Sequence, residues 1–493
     1  MNITEIIEVI VYDYMWGTPM IVFILAAGLY FTARSGLFQF RFFGHAIKTV
    51  VKRLFKGGDS AGEGTFSPMQ ALSTALGSTV GTGNISGVAT AVAVGGPGAV
   101  FWLWVAGLFG MLTKMVEITL AVYYRRKDAE GNPYGGPTYY MEDGIGKRFH
   151  MPKVAWTLII LFFIGFFMGF FINIQTYTVT EAVSTTFGWG MIPVAVIYTV
   201  ILFIMISGGL KRVGDWCSVM VPVMCVFYLV GGLFIIIKNI DVLPAVIESI
   251  FVNAFTPAAA FGGFAGASVS LAMTTGFARS VYSNEAGWGT SPMIHASAKV
   301  DHPIKEGLVG VFEVFTSTFI ICTITALVCL VTGMWSTGLD GANLTLTAFE
   351  SELGMFGRVV IAVSVFLFGI TTASGIYVQS EAIFNHVIKN PKAVKMVITA
   401  YKFLYPLVAL IMVFIAVFNG LPGATIWLFA DASTALPILT NTATLIVLFP
   451  VFLKLLNDYK ARYMNRGKVD PNMKVFYNED NEAPKHEAKG VQQ

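Results

Sequence analysis

The sequence predicts an all-α integral membrane protein of about eleven transmembrane helices. Three observations predict it. The hydrophobic fraction is 55% against a charged fraction of 12%. Apolar windows long enough to cross about 30 Å of hydrocarbon recur along the chain. Basic and non-basic loops alternate between those windows. A soluble domain carries about 25% charge, so a soluble fold of 493 residues with this composition would lack the polar groups to cover its surface. Lipid as the outer solvent removes the shortage, provided every backbone polar group in the bilayer is satisfied internally.

The apolar windows fall near 17–33, 66–94, 98–124, 154–186, 189–209, 214–237, 262–297, 306–333, 343–384, 397–418 and 423–456. Lys and Arg cluster after every odd-numbered window: Arg34 to Lys56 after the first, Arg125 to Lys127 after the third, Lys211 and Arg212 after the fifth. Lys299 and Lys305 follow the seventh, and Lys389, Lys392 and Lys395 the ninth. The opposite loops hold almost only Lys238. By the positive-inside rule the N-terminus is expected outside and the C-terminus in the cytoplasm. The first window follows Glu5, Glu8 and Asp13 rather than a basic region, so it reads as a retained helix and not as a signal peptide. Segments 135–148 and 241–253 are amphipathic and suit either interfacial helices or surface loops. The tail from 457 is polar and is expected to be disordered.

The second window contains Gly77-Ser78-Thr79-Val80-Gly81-Thr82-Gly83-Asn84 where the bilayer centre should be. Each glycine costs a helix about 1 kcal/mol relative to alanine. Bare backbone in lipid costs more unless protein, solute or ion satisfies it. The stretch therefore reads as a discontinuous helix lining a site, with half-helix N-termini for a carboxylate and freed carbonyls for a hard cation. A small-residue packing face is the alternative, which Gly77, Gly81 and Gly83 partly fit; Asn84 and the density of hydroxyls favour the site. The seventh window, Thr274 to Gly289, has the same style and carries Arg279 and Glu285. Each would cost about 2.5–3.5 kcal/mol at mid-membrane and so needs a partner or water, unless the segment is a helix end at the interface.

The broken windows stand five positions apart. Two five-helix units follow, 59–240 and 241–456, the second inverted because each has an odd number of spans. Residues 1–58 then form one extra N-terminal helix with its loop, and 457–493 the tail. Elsewhere, Lys114 and Glu117 share one helix face and read as structural, pairing with each other or with broken backbone. Gln175 suits a zwitterion or an interhelical hydrogen bond. Thr371 and Thr372 suit a cation or bonding back to their own helix. Glu313 and Asp431 stand as isolated acids.

The runs Gly81-Thr82-Gly83-Asn84-Ile85-Ser86-Gly87, Gly95-Gly96-Pro97-Gly98, Tyr134-Gly135-Gly136-Pro137 and Ser283-Asn284-Glu285-Ala286-Gly287 resemble the alanine or glycine:cation symporter family. The resemblance covers the chain up to its tail and implies a LeuT-like fold in a prokaryotic inner or plasma membrane. Gly77 to Asn84 is further similar to the first core helix of the LeuT-like sodium symporters. That likeness implies carbonyls of Gly77 and Val80 with hydroxyls of Thr371 and Thr372 around a sodium ion. It implies Thr79, Thr82 and Gly83 at a substrate carboxylate, with Asn84 and Gln175 as polar contacts and Phe277 and Asn284 as contributions of the seventh window. Thr275 to Ser280 departs from the family, in which a more basic stretch with a second glycine is expected.

The implied activity is sodium-coupled import of alanine or glycine by alternating access. The protein is expected to be a monomer in the lipid bilayer, with no cofactor beyond the coupling ion and no nucleic-acid partner. Proton coupling is the nearest alternative. A cation channel is a rival, because Thr79-Val80-Gly81-Thr82-Gly83 is similar to a potassium filter; a filter, however, sits in a re-entrant loop. An enzyme is the least favoured class: no nucleophile–base pair or metal cluster supports it, and the chain has no Walker loop, HExxH or CxxC pattern.

Overall fold

The computed structural model describes residue 7 and residues 9–55, 64–128, 130–256, 268–421 and 423–478. The described residues are helical almost throughout, with one two-residue antiparallel pairing among them, Arg126–Lys127 against Pro133–Tyr134. In chain order the helices are α1 (Thr18–Arg34), α2 (Phe43–Phe55), α3 (Pro68–Thr79), α4 (Val88–Gly95), α5 (Gly98–Tyr123), α6 (Pro152–Ile172), α7 (Ile174–Phe187), α8 (Met191–Ile206) and α9 (Gly209–Lys238). There follow α10 (Leu243–Asn253), α11 (Val269–Asn284), α12 (Ser291–His295), α13 (Pro303–Val314), α14 (Thr323–Val331), α15 (Gly341–Val387), α16 (Pro391–Asn419) and α17 (Gly423–Met464). Single π-helical stretches join α3 to α4 at Gly83–Gly87 and α13 to α14 at Phe315–Cys322.

Each apolar window of the sequence contains helix among its described residues. Among the described residues seven helices are long and apolar enough to cross a membrane, or eight if Val9–Met15 and α1, bent by 41°, count as one span. The most apolar stretches of α5 and α15 are 67% buried, those of α9 and α16 only 33%. Helices α5 and α15 therefore form the centre. Helices α9 and α16 offer outer faces such as Val219, Val226, Phe227 and Val230, or Leu407 and Ile411, to lipid.

Both windows read as discontinuous are broken. The first loses helical winding at Val80 (φ −89°, ψ 89°). The second loses it at Glu285 (φ 55°), Gly287 (φ 82°) and Gly289 (φ 85°). A third interruption was not foreseen: Asn173, in left-handed conformation (φ 31°, ψ 62°), divides α6 from α7 and caps α7 by accepting from the Thr176 amide. The ninth window also kinks, at Gly354 (φ 63°). The amphipathic segments are helical, at Pro137–Lys147 and in α10.

The tail corrects the sequence reading. Helix α17 runs on to Met464, and Val475 and Phe476 are buried. The Tyr477 amide donates to the Tyr123 carbonyl at 2.8 Å, and the Arg125 guanidinium lies 4.7 Å above the Phe476 ring. The apolar cluster within Met473–Tyr477 covers the end of α5, which overall polarity concealed. Residues 479–493 lie outside the described residues.

Candidate functional site

A capping box of Ser67 and Gln70 starts α3, with Pro68 in its first turn. The helix ends as the Val80 amide bonds the Leu76 carbonyl at 2.5 Å. Asn84 then does the work of a missing turn. Its Oδ1 accepts the Gly81 amide at 2.9 Å, and its Nδ2 donates to the Ser317 carbonyl at 3.3 Å and Cys322 Sγ at 3.2 Å. The expected substrate contact Asn84 is thus committed to holding the break against the π-helical stretch after α13.

Of the four residues expected at a cation, Gly77, Thr371 and Thr372 lie together where α3 packs on α15. Thr372 donates to the Gly77 carbonyl at 2.8 Å. A Cβ on Gly77 would stand 3.1 Å from Thr371 Cβ, and one on Gly81 only 2.2 Å from Thr372 Oγ1. Glycine at 81 is therefore what permits the approach. Thr371 bonds back to Leu367 and Phe368 carbonyls at 3.0 and 3.1 Å. Val80 supplies the non-helical backbone beside them. An all-oxygen set on unwound backbone suits a hard cation.

At the second break, backbone groups released by Glu285–Gly289 are taken up by side chains of α5 and α17. Lys114 Nζ donates to the Asn284 carbonyl at 2.9 Å. Glu117 accepts the Gly287 amide at 3.2 Å and Asn441 Nδ2 at 2.9 Å, and Asn441 also donates to the Gly287 carbonyl at 2.9 Å. Lys114 and Glu117 hold broken backbone, as their shared face suggested. Asn284 is spent on Ser280, Thr318 and the Ala286 amide.

Beside the second break lies a small cavity lined by Gln175, Tyr282, Glu285, Trp288, Thr290, Gln379 and Ser433, with Phe166, Ile174 and Ile376. The space open to the centre of a water-sized body is about 30 Å³, two to three times the ~10–15 Å³ one water needs. Gln379 Nε2 donates to Ser78 Oγ at 2.9 Å, and Ser78 donates to Glu285 Oε1 at 3.0 Å. Two buried polar atoms of the lining, Gln379 Oε1 and Trp288 Nε1, have no hydrogen-bond partner among the described residues, whereas Glu285 Oε2 stands 3.9 Å from Lys114 and the Thr290 hydroxyl interacts with the Glu285 carboxylate. Buried polar groups are almost always paired, so these two atoms are open to a further partner.

Of the sequence candidates, Gln175 lines this cavity and bonds Tyr282 at 3.4 Å. Gly83 lies against the Tyr282 ring, where a Cβ would come to 2.8 Å. Thr79 and Thr82 are buried with unpartnered hydroxyls at the break itself. Phe277 is elsewhere, packed with Ile21, Ala106 and Trp102, because it lies about two helical turns before Asn284. Sequence reasoning missed Tyr282, Trp288, Thr290, Gln379 and Ser433. Gln379 alone had a signal, as an amide inside an apolar window.

A second polar cluster packs on Tyr282 across the Trp427 ring, 5.2 Å away. Arg279 pairs with Asp431 at 2.8 Å and lies 4.6 Å above Trp427. Tyr12 donates to Asp431 at 3.3 Å and Trp16 to its carbonyl at 3.0 Å. Arg279 thus has the partner its burial demands, and neither Asp431 nor Glu313 is isolated: Glu313 Oε2 stands 3.9 Å from Lys114.

Two broken helices around a buried polar cavity, with outer helices facing lipid, form the frame of a solute carrier. Residues 1–474 match the sodium:alanine symporter family. The chain belongs to that family. It is 34% identical over 465 residues to the sodium/alanine symporter AgcS of Methanococcus maripaludis, covering 92% of this chain and 97% of that one. It is 34% identical over 478 residues to a probable sodium/glutamine symporter, GlnT, of Bacillus subtilis, covering 97% and 94%. An Eremococcus coleocola manganese transporter shares the fold, with TM-score 0.50 at 14% identity over 82% of this chain and 81% of that one. The symporter is an all-α membrane protein of the LeuT-like fold, and its family is one of cation-coupled amino-acid carriers rather than of enzymes.

Proposed function

We propose that the protein imports a small neutral amino acid, alanine or glycine, with sodium, by alternating access across the prokaryotic cell membrane. The N-terminus is outside and the C-terminus cytoplasmic, as the basic loops require. The observation that carries this reading is the polar cavity. Gln379 Oε1 is an unpaired acceptor beside the Glu285 carboxylate and suits an ammonium group. The Trp288 indole N–H is an unpaired donor and suits a carboxylate. Thr79, Thr82 and Gly83 add the unwound face of the first broken helix, and Gln175 a further amide. The small space supports a side chain of a methyl group or less.

Sodium fits beside α3 and α15, at the Gly77 and Val80 carbonyls with Thr371 and Thr372. In that position it would fix the unwound backbone from which substrate groups project, so that ion and amino acid each stabilise the geometry the other needs. The two inverted units, 59–240 and 241–456, would then rock about the pair, the protein acting as a monomer.

Radiolabelled alanine uptake into proteoliposomes tests the reading, with inward sodium and inward proton gradients imposed separately. Accumulation is expected with sodium alone. Equal accumulation with potassium, or with a proton gradient in the absence of sodium, contradicts the coupling.

A further inference from the structure

His295, on the short helix α12 directly beyond the second break, presents both ring nitrogens to carboxylates of α13. Nδ1 lies 2.7 Å from Glu306 Oε1 and Nε2 2.9 Å from Glu313 Oε1. Glu306 and Glu313 are two helical turns apart on one face, and no side chain of the three is more than 1% exposed. A neutral imidazole has one N–H and one lone pair, and an ionised carboxylate only accepts. Two nitrogens facing two acceptors therefore need two protons, and the neutral ring supplies one. Turning the ring over is no remedy, since it would set carbon atoms against oxygens at those distances.

The second oxygen of each carboxylate is engaged elsewhere. Glu306 Oε2 meets Arg53 of α2 at 2.9 Å. Glu313 Oε2 meets Ser291 at 3.3 Å and Lys114 of α5 at 3.9 Å. Lys114 in turn stands 3.9 Å from Glu285 Oε2, and Glu117 binds the same break one turn along α5. At the far end of α13, Asp458 of α17 is matched to His302 and Arg462. Among the described residues around the histidine, the carboxylates of Glu306, Glu313, Glu285 and Glu117 thus stand with Arg53 and Lys114. A metal ion does not fit: the two nitrogens point to opposite sides, and among the described residues no three His, Cys, Asp or Glu side chains converge on one point.

We propose that His295, Glu306 and Glu313 form a buried proton-binding site, which holds one exchangeable proton between the imidazole and two carboxylates and docks α12 onto α13. The proton comes from water and sits on the ring or on a carboxyl; no other bond changes. Loss of it sets a lone pair against a carboxylate in a desolvated place and frees the arm that follows the break. Lys114 connects the site to the cavity through Glu285, so the state of one bears on the other.

The test uses the full chain in nanodiscs at pH about 8, well above the ~6.5 of an ordinary imidazole. Nitrogen-15 histidine NMR reads the ring, and infrared difference spectra read protonated carboxyls. The wild type is expected to show either a His295 ring protonated on both nitrogens or a protonated-carboxyl band. Glu313→Gln supplies an amide N–H in place of the shared proton, so the ring should become singly protonated, or the band should vanish. Glu306→Gln makes the same exchange at the other nitrogen and serves if the first variant does not fold. A neutral wild-type ring without a protonated carboxyl overturns the proposal, as does a proton signal that both glutamine variants leave unchanged.

Discussion

Ser78, on the first broken helix, donates a hydrogen bond of 3.0 Å to Glu285, at the break of the second. Gln379 of α15 completes the chain by donating to Ser78 at 2.9 Å. Three elements that no local sequence pattern joins are thus tied at one carboxylate, whose second oxygen faces the cavity. A hydrogen bond to a charged group contributes about 1.5–3 kcal/mol, or roughly ten- to hundredfold in an equilibrium. Glu285→Gln is expected to lower alanine uptake at least about tenfold, Ser78→Ala less. Initial rates in proteoliposomes, normalised to reconstituted protein, check the order.

The proposed cation site separates two adjacent threonines. Thr372 reaches the Gly77 carbonyl, whereas Thr371 bonds its own helix. Thr372→Val should therefore raise the sodium concentration for half-maximal uptake about tenfold, the worth of one charge-assisted bond. Thr372→Ser should restore it. Thr371→Val is expected to change it by less. Sodium titration of uptake at saturating alanine reads all three variants, and equal effects at both positions would remove Thr372 from its special role.

Much of this arrangement was legible in the sequence, and the limits have physical causes. Apolar windows are properties of single segments, so they located the long apolar helices, whereas the basic helix α2 lay outside them. Glycine, hydroxyl and Asn density within a window reports backbone that cannot stay wound, so both breaks were visible at Gly77–Asn84 and Ser283–Gly287. The break at Asn173 was not, because one left-handed Asn needs no unusual neighbours. Roles within the breaks were harder. Asn84 and Asn284 are the polar residues a reader assigns to solute, yet the backbone claims them, since an unwound segment needs its own caps first. Tyr282, Trp288 and Ser433 enter the cavity only through tertiary packing, and Phe277 leaves it by helical phase.

Arg279 and Asp431 are both buried, at 2% and 1% exposure. Removing one partner of such a pair costs about 3–5 kcal/mol, because the other charge stays behind, whereas replacing both with apolar groups is often neutral. Asp431→Asn and Arg279→Met should each lower the melting temperature of the solubilised protein. The double variant Arg279→Met with Asp431→Leu should recover most of the loss. Thermal unfolding followed by size-exclusion chromatography decides this. A double variant as unstable as the sum of the singles would mean that Trp427 and Tyr12, rather than the ion pair, set the packing there.

Docking of the C-terminal segment gives a prediction with a definite pH sign. Asp143 accepts from Arg126 at 3.0 Å, Lys147 at 2.8 Å and Asn478 at 3.0 Å. Burial pushes its pKa up, but bonds to Arg126, Lys147 and Asn478 outweigh burial and hold it below the ordinary carboxylate value. The stabilisation from a depressed acid is complete above its unfolded value of about 3.9 and is lost as pH falls through the folded value. The segment should therefore stay docked across the neutral range and release only in acid, below pH about 4. Asp143→Asn removes the charge at all pH values and should release it at neutrality. Hydrogen exchange at Tyr477, whose amide bonds the Tyr123 carbonyl, reports the release directly. About tenfold faster exchange in the variant corresponds to ~1.4 kcal/mol, the scale of one lost hydrogen bond. Unchanged exchange would assign the docking to Val475, Phe476 and the Arg125 stack instead.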